Sequence, residues 1–177
     1  GMPSMLGFID LEQFSVVNNT FGYEGGDRAL LEVSRLLGQE LGKDGVLARI
    51  GGDEFAMLME NCSLDDALRV TSRLTGVFRA YRFTSEDKSL SLSFSAGLVT
   101  IDPESESVES LLQAAESSCR IARTKGTNYV QVYRPDEASL ARQANTVKWV
   151  SRIDEALDKN SFELRCQPIV CVGGKKV

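Results

Sequence analysis

The 177-residue chain contains no histidine. This absence excludes Ser-His and Cys-His nucleophilic catalysis, acid–base chemistry by imidazole, and metal sites with histidine ligands. The four cysteines are widely spaced and form no C-x-x-C pair, which fits neither a zinc site nor a small disulfide framework. Any chemistry must therefore rest on carboxylates, amides and cations, and a reducing cytoplasm is the simplest setting for the chain.

Long apolar runs and concentrated charge are also absent. No stretch reaches the roughly 18 apolar residues of a membrane helix, and the opening GMPSMLGFID lacks the pattern of an export signal, so we expect no membrane contact by this segment. The net charge is −5 and neither sign runs for five residues, which argues against a nucleic-acid-binding surface. With 42% apolar residues, we expect one globular domain together with a fragment of a neighbour.

Apolar and alternating runs predict the strands. MLGFI at 5–9 and YVQVY at 129–133 are short apolar runs, and SLSLSFSAGL at 89–98 alternates with serines on one side, the pattern of a half-buried strand. VLARI and EFAMLM flank Gly51 and Gly52 and predict a hairpin, because glycine adopts the positive φ values that tight turns require.

Helical spacing of apolar residues predicts helices over 26–41 and over 108–126. A further helix is predicted to start at the N-cap Ser63 and to present one face with Ala67, Thr71, Leu74 and Phe78. Helices and strands thus alternate along the chain, but the hairpin forces antiparallel pairing. We therefore predict an α+β fold with a mainly antiparallel sheet flanked by helices, rather than a doubly wound parallel sheet.

Past Pro135 the chain changes character. A long and sparse apolar stripe predicts a connecting helix over 136–160. FELRCQP at 162–168 alternates as a strand but has no partner strand before Val177. We therefore expect the main domain to cover 1–135, a helical linker to follow, and residues 161–177 to open a second domain.

Three carboxylates are expected to meet at one edge of the sheet. Asp10 ends the first strand, while Asp53 and Glu54 lie at the tip of the hairpin. If the two strands are neighbours, this cluster suits Mg²⁺, which is usually held by one or two carboxylates together with substrate phosphates. Gly51 and Gly52 would let a ligand approach the backbone closely. The alternative is that these acids decorate a solvent-facing turn.

Several motifs occur together in a recognisable order. RIGGDEF at 49–55 resembles the signature of GGDEF domains, the diguanylate cyclase family, and FIDLEQFSVVNNTFGYEGGDRAL resembles the family's D-x-D-x-F-K-x-I-N-D-x-x-G-H-x-x-G-D-x-x-L. A K-G-x-N sequence follows at Lys125–Asn128, so the resemblance covers about residues 5–133. FELRCQPIV resembles the first strand of EAL domains, which are cyclic-di-GMP phosphodiesterases. The chain thus resembles a piece of a tandem GGDEF–EAL protein.

The resemblance implies a five-stranded sheet like that of nucleotide cyclases. It also implies a Mg²⁺- or Mn²⁺-dependent reaction in which two GTP-loaded domains meet and form cyclic di-GMP and pyrophosphate. The implied partners are GTP, a second GGDEF protomer and an adjacent EAL domain. The implied catalytic residues are Asp53 and Glu54, and the implied metal ligands are Asp10, Leu11 through its carbonyl, Asp53 and Glu54. The implied substrate-binding residues are Gln13, Phe14, Asn18, Tyr23, Asp27, Gly51, Gly52 and Arg123.

These roles suit the chemistry of the side chains. The amides of Gln13 and Phe14, at an expected helix start, would bind the terminal phosphates. An amide at Asn18 and a carboxylate at Asp27 would bind the edge of guanine. Without the motif, Asn18 would be a helix-terminal polar residue and Asp27 an N-cap.

Four positions depart from the family's pattern. Ser15 and Thr127 occupy positions where the family usually has phosphate-binding cations, Tyr23 replaces a histidine, and Glu12 replaces an aspartate. Each lost charge-assisted hydrogen bond weakens triphosphate binding by about 1.5–3 kcal/mol. The alternative function is therefore a catalytically weak GTP-binding domain that controls an adjacent EAL phosphodiesterase. A dimerisation spacer is a third hypothesis.

Overall fold

A computed structural model of the chain describes residues 3–43, 45–85, 87–103, 105, 107–134 and 159. The predicted linker helix at 136–160, apart from Lys159, and the predicted strand at 162–168 lie outside the described residues. The elements in chain order are β1 (Ser4–Glu12), α1 (Phe14–Leu41), β2 (Gly45–Gly51), β3 (Glu54–Met59), α2 (Leu64–Ala80), β4 (Arg82–Ser85), β5 (Lys88–Ser91), β6 (Ser93–Ile101), α3 (Val108–Lys125) and β7 (Tyr129–Val132).

The central sheet has five strands in the order β2-β3-β1-β6-β7. All neighbours pair antiparallel except β6 and β7, which are parallel. The predicted α+β fold with a mainly antiparallel sheet is therefore confirmed. β4 and β5 form a separate two-stranded hairpin. The GGD hairpin joins β2 and β3, and β2 lies at the sheet edge, where most of its side chains are exposed.

Successive side chains of β1 point to opposite faces of the sheet, so each face has its own core. Met5, Ile9 and Leu11 join the larger core with buried residues of α1 and α2. Phe8 packs on the other face in a smaller core with Ala115 of α3. The strand ends at the carboxylate edge are therefore held between helices on both sides.

Helix α2 matches its prediction closely. The Ser63 hydroxyl accepts a hydrogen bond from the Asp66 amide at 3.2 Å and caps the helix N-terminus. The buried residues are those on the predicted face: Ala67, Thr71, Leu74 and Phe78. None of the helices within the described ranges combines the length and the apolar character that a membrane span requires.

The expected helix start at Gln13 and Phe14 agrees with the structure, because α1 begins at Phe14, and the helix predicted over 26–41 is the second segment of α1, after a bend at Gly22. Gly22 has φ 72° and ψ 175°, a conformation that disfavours side chains with a Cβ. A Cβ at Gly25 would lie 2.3 Å from the Cβ of Phe21, so the missing side chain lets the two segments of α1 approach. The bend separates the expected start at Phe14 from the apolar periodicity over 26–41, so the sequence pattern did not show that both belong to one helix.

The predicted single strand at 89–98 is also wrong in two respects. It divides at Leu92 into β5 and β6, and β6 is buried on both faces rather than on one. Ser95 has no exposed surface, and Gly97 is buried as well. Serine and glycine look like the solvent side of a strand, but here their small size lets α3 pack directly on the sheet.

α3 approaches the sheet closely at Gly97. A Cβ at this position would lie 2.0 Å from the Ala115 carbonyl oxygen and 2.5 Å from the Cys119 amide nitrogen. Both atoms belong to the backbone of α3, so they cannot move without shifting the helix. The absence of a side chain at residue 97 therefore fixes how α3 lies on β6, and with it the position of Arg123 one turn beyond Cys119.

Replacing Gly97 by alanine should displace α3 and destabilise the domain. We expect Gly97→Ala to lower the free energy of unfolding by about 3 kcal/mol, the scale of core overpacking. Gly76→Ala is the matched control, because Gly76 lies inside α2 with no atom within 4 Å of its Cβ position. This control should raise the free energy of unfolding by about 0.5–1 kcal/mol. Urea denaturation of both variants measures the difference, and equal effects would contradict the close-packing interpretation.

Candidate active site

Two of the three carboxylates predicted to meet lie on adjacent strands, and the third is in the turn of the hairpin. Asp10 of β1 is the register partner of Glu54 of β3, and directly opposed residues project to the same face of a sheet. The backbone continues this pairing, because the Leu11 amide donates to the Asp53 carbonyl at 3.1 Å. The strand end and the hairpin tip are thus joined at the edge where the sequence placed the cluster.

The hairpin turn is held by a residue to which the sequence analysis gave no role. Arg49 donates from Nε and from a terminal guanidinium nitrogen to the Gly52 carbonyl, at 2.9 and 2.7 Å. Gly52 has a positive φ of 43°, whereas the φ of Gly51 is not positive. The available signal was the arginine that opens RIGGDEF, but a turn-bracing contact across three residues cannot be read from spacing alone.

Arg123 forms an ion pair with the Asp10 carboxylate. The Asp10 side chain is 17% exposed and that of Arg123 is 50% exposed. Burial raises the pKa of the Asp10 carboxyl above its usual range, Arg123 lowers this pKa, and the charges of Asp53 and Glu54 raise it further. Arg123 therefore balances part of the negative charge that the register of the sheet concentrates here.

The donor set fits a hard divalent cation. Asp10, Asp53 and Glu54 supply only oxygen atoms, and the three carboxylates are near enough for Asp53 and Glu54 to shift the titration of Asp10. Within the described ranges, however, no three acidic or cysteine side chains already surround a common point at metal-binding distance. Arg123 contacts one oxygen of the Asp10 carboxylate, so a metal at that oxygen would compete with the guanidinium.

A cleft of about 510 Å³ opens beside this edge. Its wall brings the C-terminal end of β1 and the first residues of α1 together with Asp53 and the end of α3. The lining residues are Leu11, Glu12, Gln13, Phe14, Ser15, Asp53, Arg123, Gly126 and Thr127. Gln13 has a left-handed backbone, φ 55° and ψ 31°, so that a single residue turns the chain from β1 into α1. The N-terminus of α1 therefore faces the cleft, where its amides favour anions.

Glu12 has a role that the sequence analysis did not foresee. Its two carboxylate oxygens accept hydrogen bonds from the hydroxyls of Ser93 and Ser95, at 2.8 and 2.6 Å. Glutamate has one more methylene than aspartate, and this added length lets the Glu12 carboxylate reach β6. These bonds hold the Glu12 carboxylate at the cleft wall.

Asn18 lies against the second segment of α1. Its Oδ1 would be 1.9 Å from a Cβ at Gly26, so the missing side chain leaves room for the amide beside Asp27. Asp27 is exposed inside α1, so its alternative as an N-cap is wrong, whereas Asn18 lies in the last turn before the bend at Gly22, as its helix-terminal alternative requires. Tyr23 follows the bend with 84% exposure and does not line the described cleft.

The K-G-x-N motif joins α3 to the sheet. Asn128 Oδ1 accepts from the Phe94 amide at 3.2 Å and holds the start of β6. The Lys125 ammonium donates to Gln131 at 2.7 Å and lies 5.5 Å from the centre of the Tyr129 ring. Thr127 is exposed and lines the cleft. The position that usually carries a cation thus faces the cleft with a neutral side chain.

Comparison with known sequences identifies the domain. The family profile described as "Diguanylate cyclase, GGDEF domain" matches residues 2–129. The chain is 30% identical over 166 residues to the cyclic di-GMP phosphodiesterase PdeB of Shewanella oneidensis, which covers 94% of this chain and 19% of PdeB. It is 33% identical over 132 residues to the probable diguanylate cyclase DgcE of Escherichia coli, which covers 75% of this chain and 12% of DgcE. The chain thus spans a fifth or less of these two relatives.

Solved structures agree with this assignment. An EAL/GGDEF domain protein from M. capsulatus is similar with a TM-score of 0.69 and 26% identity, over 76% of this chain and 87% of that chain. The diguanylate cyclase SiaD of Pseudomonas aeruginosa, solved with its activator SiaC, has a TM-score of 0.70 and 27% identity, over 75% of this chain and 50% of that chain. The order of motifs, the sheet and these matches have one explanation: the chain belongs to the diguanylate cyclase GGDEF domain family.

Proposed function

We propose that this domain condenses two molecules of GTP into cyclic di-GMP and pyrophosphate. The observation that carries the proposal is the cleft, which gathers Asp53, the start of α1 and Arg123 beside the Asp10 strand end. A fold alone does not establish an activity, but this cleft pairs an acidic edge with anion-binding backbone amides. That combination suits a metal-bound triphosphate, and the proposed setting is the cytoplasm, where GTP is available.

Asp10, Asp53, Glu54 and the Leu11 carbonyl would hold Mg²⁺ or Mn²⁺. The bound metal supplies charge neutralisation and polarises the attacked phosphate. Asp53 would accept the proton of the attacking 3′-hydroxyl, since its carboxylate lies on both the hairpin tip and the cleft wall. Glu54 would support it from the register position opposite Asp10. The amides of Gln13 and Phe14 would bind the terminal phosphates, which leave as pyrophosphate.

Guanine recognition would fall to the bend in α1. The Asn18 amide would bond to the O6 and N7 edge of the base, and the exposed Asp27 carboxylate would accept from its N1 and N2 hydrogens. Tyr23 lies at the same bend and would contribute its ring or hydroxyl to the nucleotide. Gly51 and Gly52 would leave the hairpin backbone open to the substrate, because neither has an atom within 4 Å of its Cβ position.

Two protomers would be needed for one turnover. A single cleft of about 510 Å³ would hold one GTP, and each 3′-hydroxyl would attack the α-phosphate held by the partner domain. The proposed partners are therefore GTP and a second GGDEF protomer.

We also propose that the domain is part of a tandem GGDEF–EAL protein. The match to the phosphodiesterase PdeB covers 94% of this chain and so continues past residue 129, where the family profile ends. This supports a GGDEF domain at 1–135, a linker at 136–160 and the start of an EAL domain at 161–177. The adjacent EAL domain would then be the intramolecular partner.

A second candidate function is a GTP-binding regulatory domain that controls the EAL domain. Ser15 and Thr127 both line the cleft and are neutral where the family usually has cations. Binding could survive this loss, because the metal and the backbone amides would still attract the triphosphate. Turnover depends more strongly on charges near the reacting phosphate.

Product formation by the 177-residue chain distinguishes the two functions. With GTP and Mg²⁺, we expect cyclic di-GMP and pyrophosphate, and we expect Asp53→Asn to lower the rate at least about 100-fold, because it removes the general base. Glu60→Gln is the control, since Glu60 is an exposed carboxylate just beyond β3 and away from the cleft. Chromatography of the products measures the rate. GTP binding without product would reject the cyclase and support the regulator.

Gly26→Ala should impair guanine recognition without unfolding the domain. The new Cβ would collide with Asn18 Oδ1, the end of a flexible side chain that can swing away. We expect the preference for GTP over ATP to fall about fivefold to tenfold, the worth of one hydrogen bond. Asn18→Ala should have the same effect, and the double variant should lose no more than either one.

Gly38→Ala is the matched control on the same helix, because no atom lies within 4 Å of its Cβ position. Calorimetric titration with both nucleotides gives the preference, and thermal unfolding shows whether the fold is intact. An additive loss in the double variant would mean that Gly26 and Asn18 act separately.

A further inference from the structure

The Asp10–Arg123 pair joins two groups that the proposed function assigns to different ligands. Asp10 would hold the metal, and Arg123 would bind the phosphates. In the structure these two groups form an ion pair with each other. A guanidinium that keeps its contact with Asp10 has fewer donors left for the phosphates, and a metal would compete with it for the carboxylate oxygen that it contacts.

Arg123 is also the one cation among the described residues that line the cleft. Ser15 and Thr127 leave no second positive side chain on this wall. Two tasks therefore fall to one guanidinium: balancing the acidic edge before the substrate binds, and contacting the triphosphate afterwards. Its half-exposed position lets the side chain reorient without disturbing the core.

The acidic edge needs such a cation when the metal is absent. The Asp10 side chain is largely buried, its register partner is Glu54, the hairpin tip with Asp53 is bonded to the next residue of β1, and Arg123 is the cation that contacts it. The position of the guanidinium is set by the packing of α3 at Gly97, so it is built into the fold.

We propose that Arg123 is an exchangeable stand-in for the metal: it bonds to Asp10 in the free domain and moves to the nucleotide phosphates when the metal binds. This inference rests on the proposed function. A metal arriving alone must displace the guanidinium and leave it without an anion. A metal arriving with GTP displaces it onto the phosphates. Metal and nucleotide binding therefore favour each other through Arg123, and this coupling is reciprocal.

Two simpler roles predict different results. A plain phosphate ligand would affect nucleotide binding but not the binding of metal alone. A purely structural ion pair would affect the stability of the fold and would change both affinities only in so far as the fold changes. Only the exchange predicts effects of opposite sign when the Arg123 guanidinium is removed. The metal without nucleotide then binds more tightly, and the metal–nucleotide complex binds more weakly.

The test compares Arg123→Gln with Arg120→Gln in the 177-residue chain. Arg120 lies on the same helix and is exposed beside Glu116, so its replacement removes one positive charge without touching Asp10. Mn²⁺ is titrated without nucleotide, and free Mn²⁺ is followed by electron paramagnetic resonance. We expect Arg123→Gln to bind Mn²⁺ about tenfold more tightly than Arg120→Gln, the scale of one partly exposed charge-assisted bond. Asp10→Asn should abolish this gain.

A second titration uses GTP with Ca²⁺, an oxygen-binding cation chosen to limit turnover. Here Arg123→Gln should bind about tenfold more weakly than Arg120→Gln, because a phosphate contact is lost. Thermal unfolding of each variant shows that the fold is retained. Should Arg123→Gln not fold, the wild-type chain answers the question by NMR: the Arg123 Nε–H resonance must shift when Mg²⁺ alone saturates the site.

The exchange hypothesis is overturned if Arg123→Gln and Arg120→Gln bind Mn²⁺ with equal affinity, or if the Arg123 Nε–H resonance does not shift when Mg²⁺ is added. In that case cyclic di-GMP formation by the wild-type chain shows that the proposed function still stands. If the wild-type chain binds neither Mn²⁺ nor nucleotide, the proposed function and the exchange fail together. The opposite-sign pair of shifts, lost in Asp10→Asn, supports the exchange.

Discussion

The antiparallel register between β1 and β3 is the constraint on which the candidate site depends. It places Asp10 directly opposite Glu54, and the Leu11–Asp53 backbone bond brings the hairpin tip to the same edge. A register shifted by one residue would send these side chains to the other face of the sheet. The two-sided core, with Ile9 and Leu11 on one face and Phe8 on the other, makes such a shift costly because it would expose apolar residues. Packing of the interior thus determines the geometry of the acidic edge.

A concentration of negative charge at a sheet edge requires compensation, and the fold provides it from the opposite layer. α3 lies close enough to β6 to position a guanidinium only because Gly97 has no side chain. Glu12 is satisfied differently, by two serine hydroxyls of β6 rather than by a cation. Hydroxyl donors do not neutralise the charge of the Glu12 carboxylate, but they fix the orientation of this group. Two neighbouring carboxylates on one strand are therefore held in distinct ways, and only the Asp10 contact is one that a metal would compete for.

The sequence predicted those features that depend on local periodicity or on motif order. α2 was predicted down to its cap and its buried face, the GGD hairpin was correct, and the α+β class was confirmed. Features produced by close approach between distant segments were missed. The bend at Gly22, which joins two helical segments into α1, was not predicted, and the small residues of β6 suggested a solvent face where α3 packs. Periodicity is read from the positions of apolar residues, whereas these contacts depend on glycines and other small residues that let distant segments approach each other.

The same distinction applies to the site. The acids were placed at one edge from strand ends and turn chemistry, but the contacts of Arg123, Arg49 and Glu12 depend on tertiary distances that spacing does not encode. The neutral positions Ser15 and Thr127 acquire their meaning only with the cleft, because both line it. Backbone amides and a metal can attract a triphosphate in the ground state without these cations. In the proposed reaction, the charge that develops on the α-phosphate during attack would have fewer partners. In the proposed reaction the two missing cations would therefore lower turnover more than binding, because the backbone amides and the metal would still attract the triphosphate in the ground state.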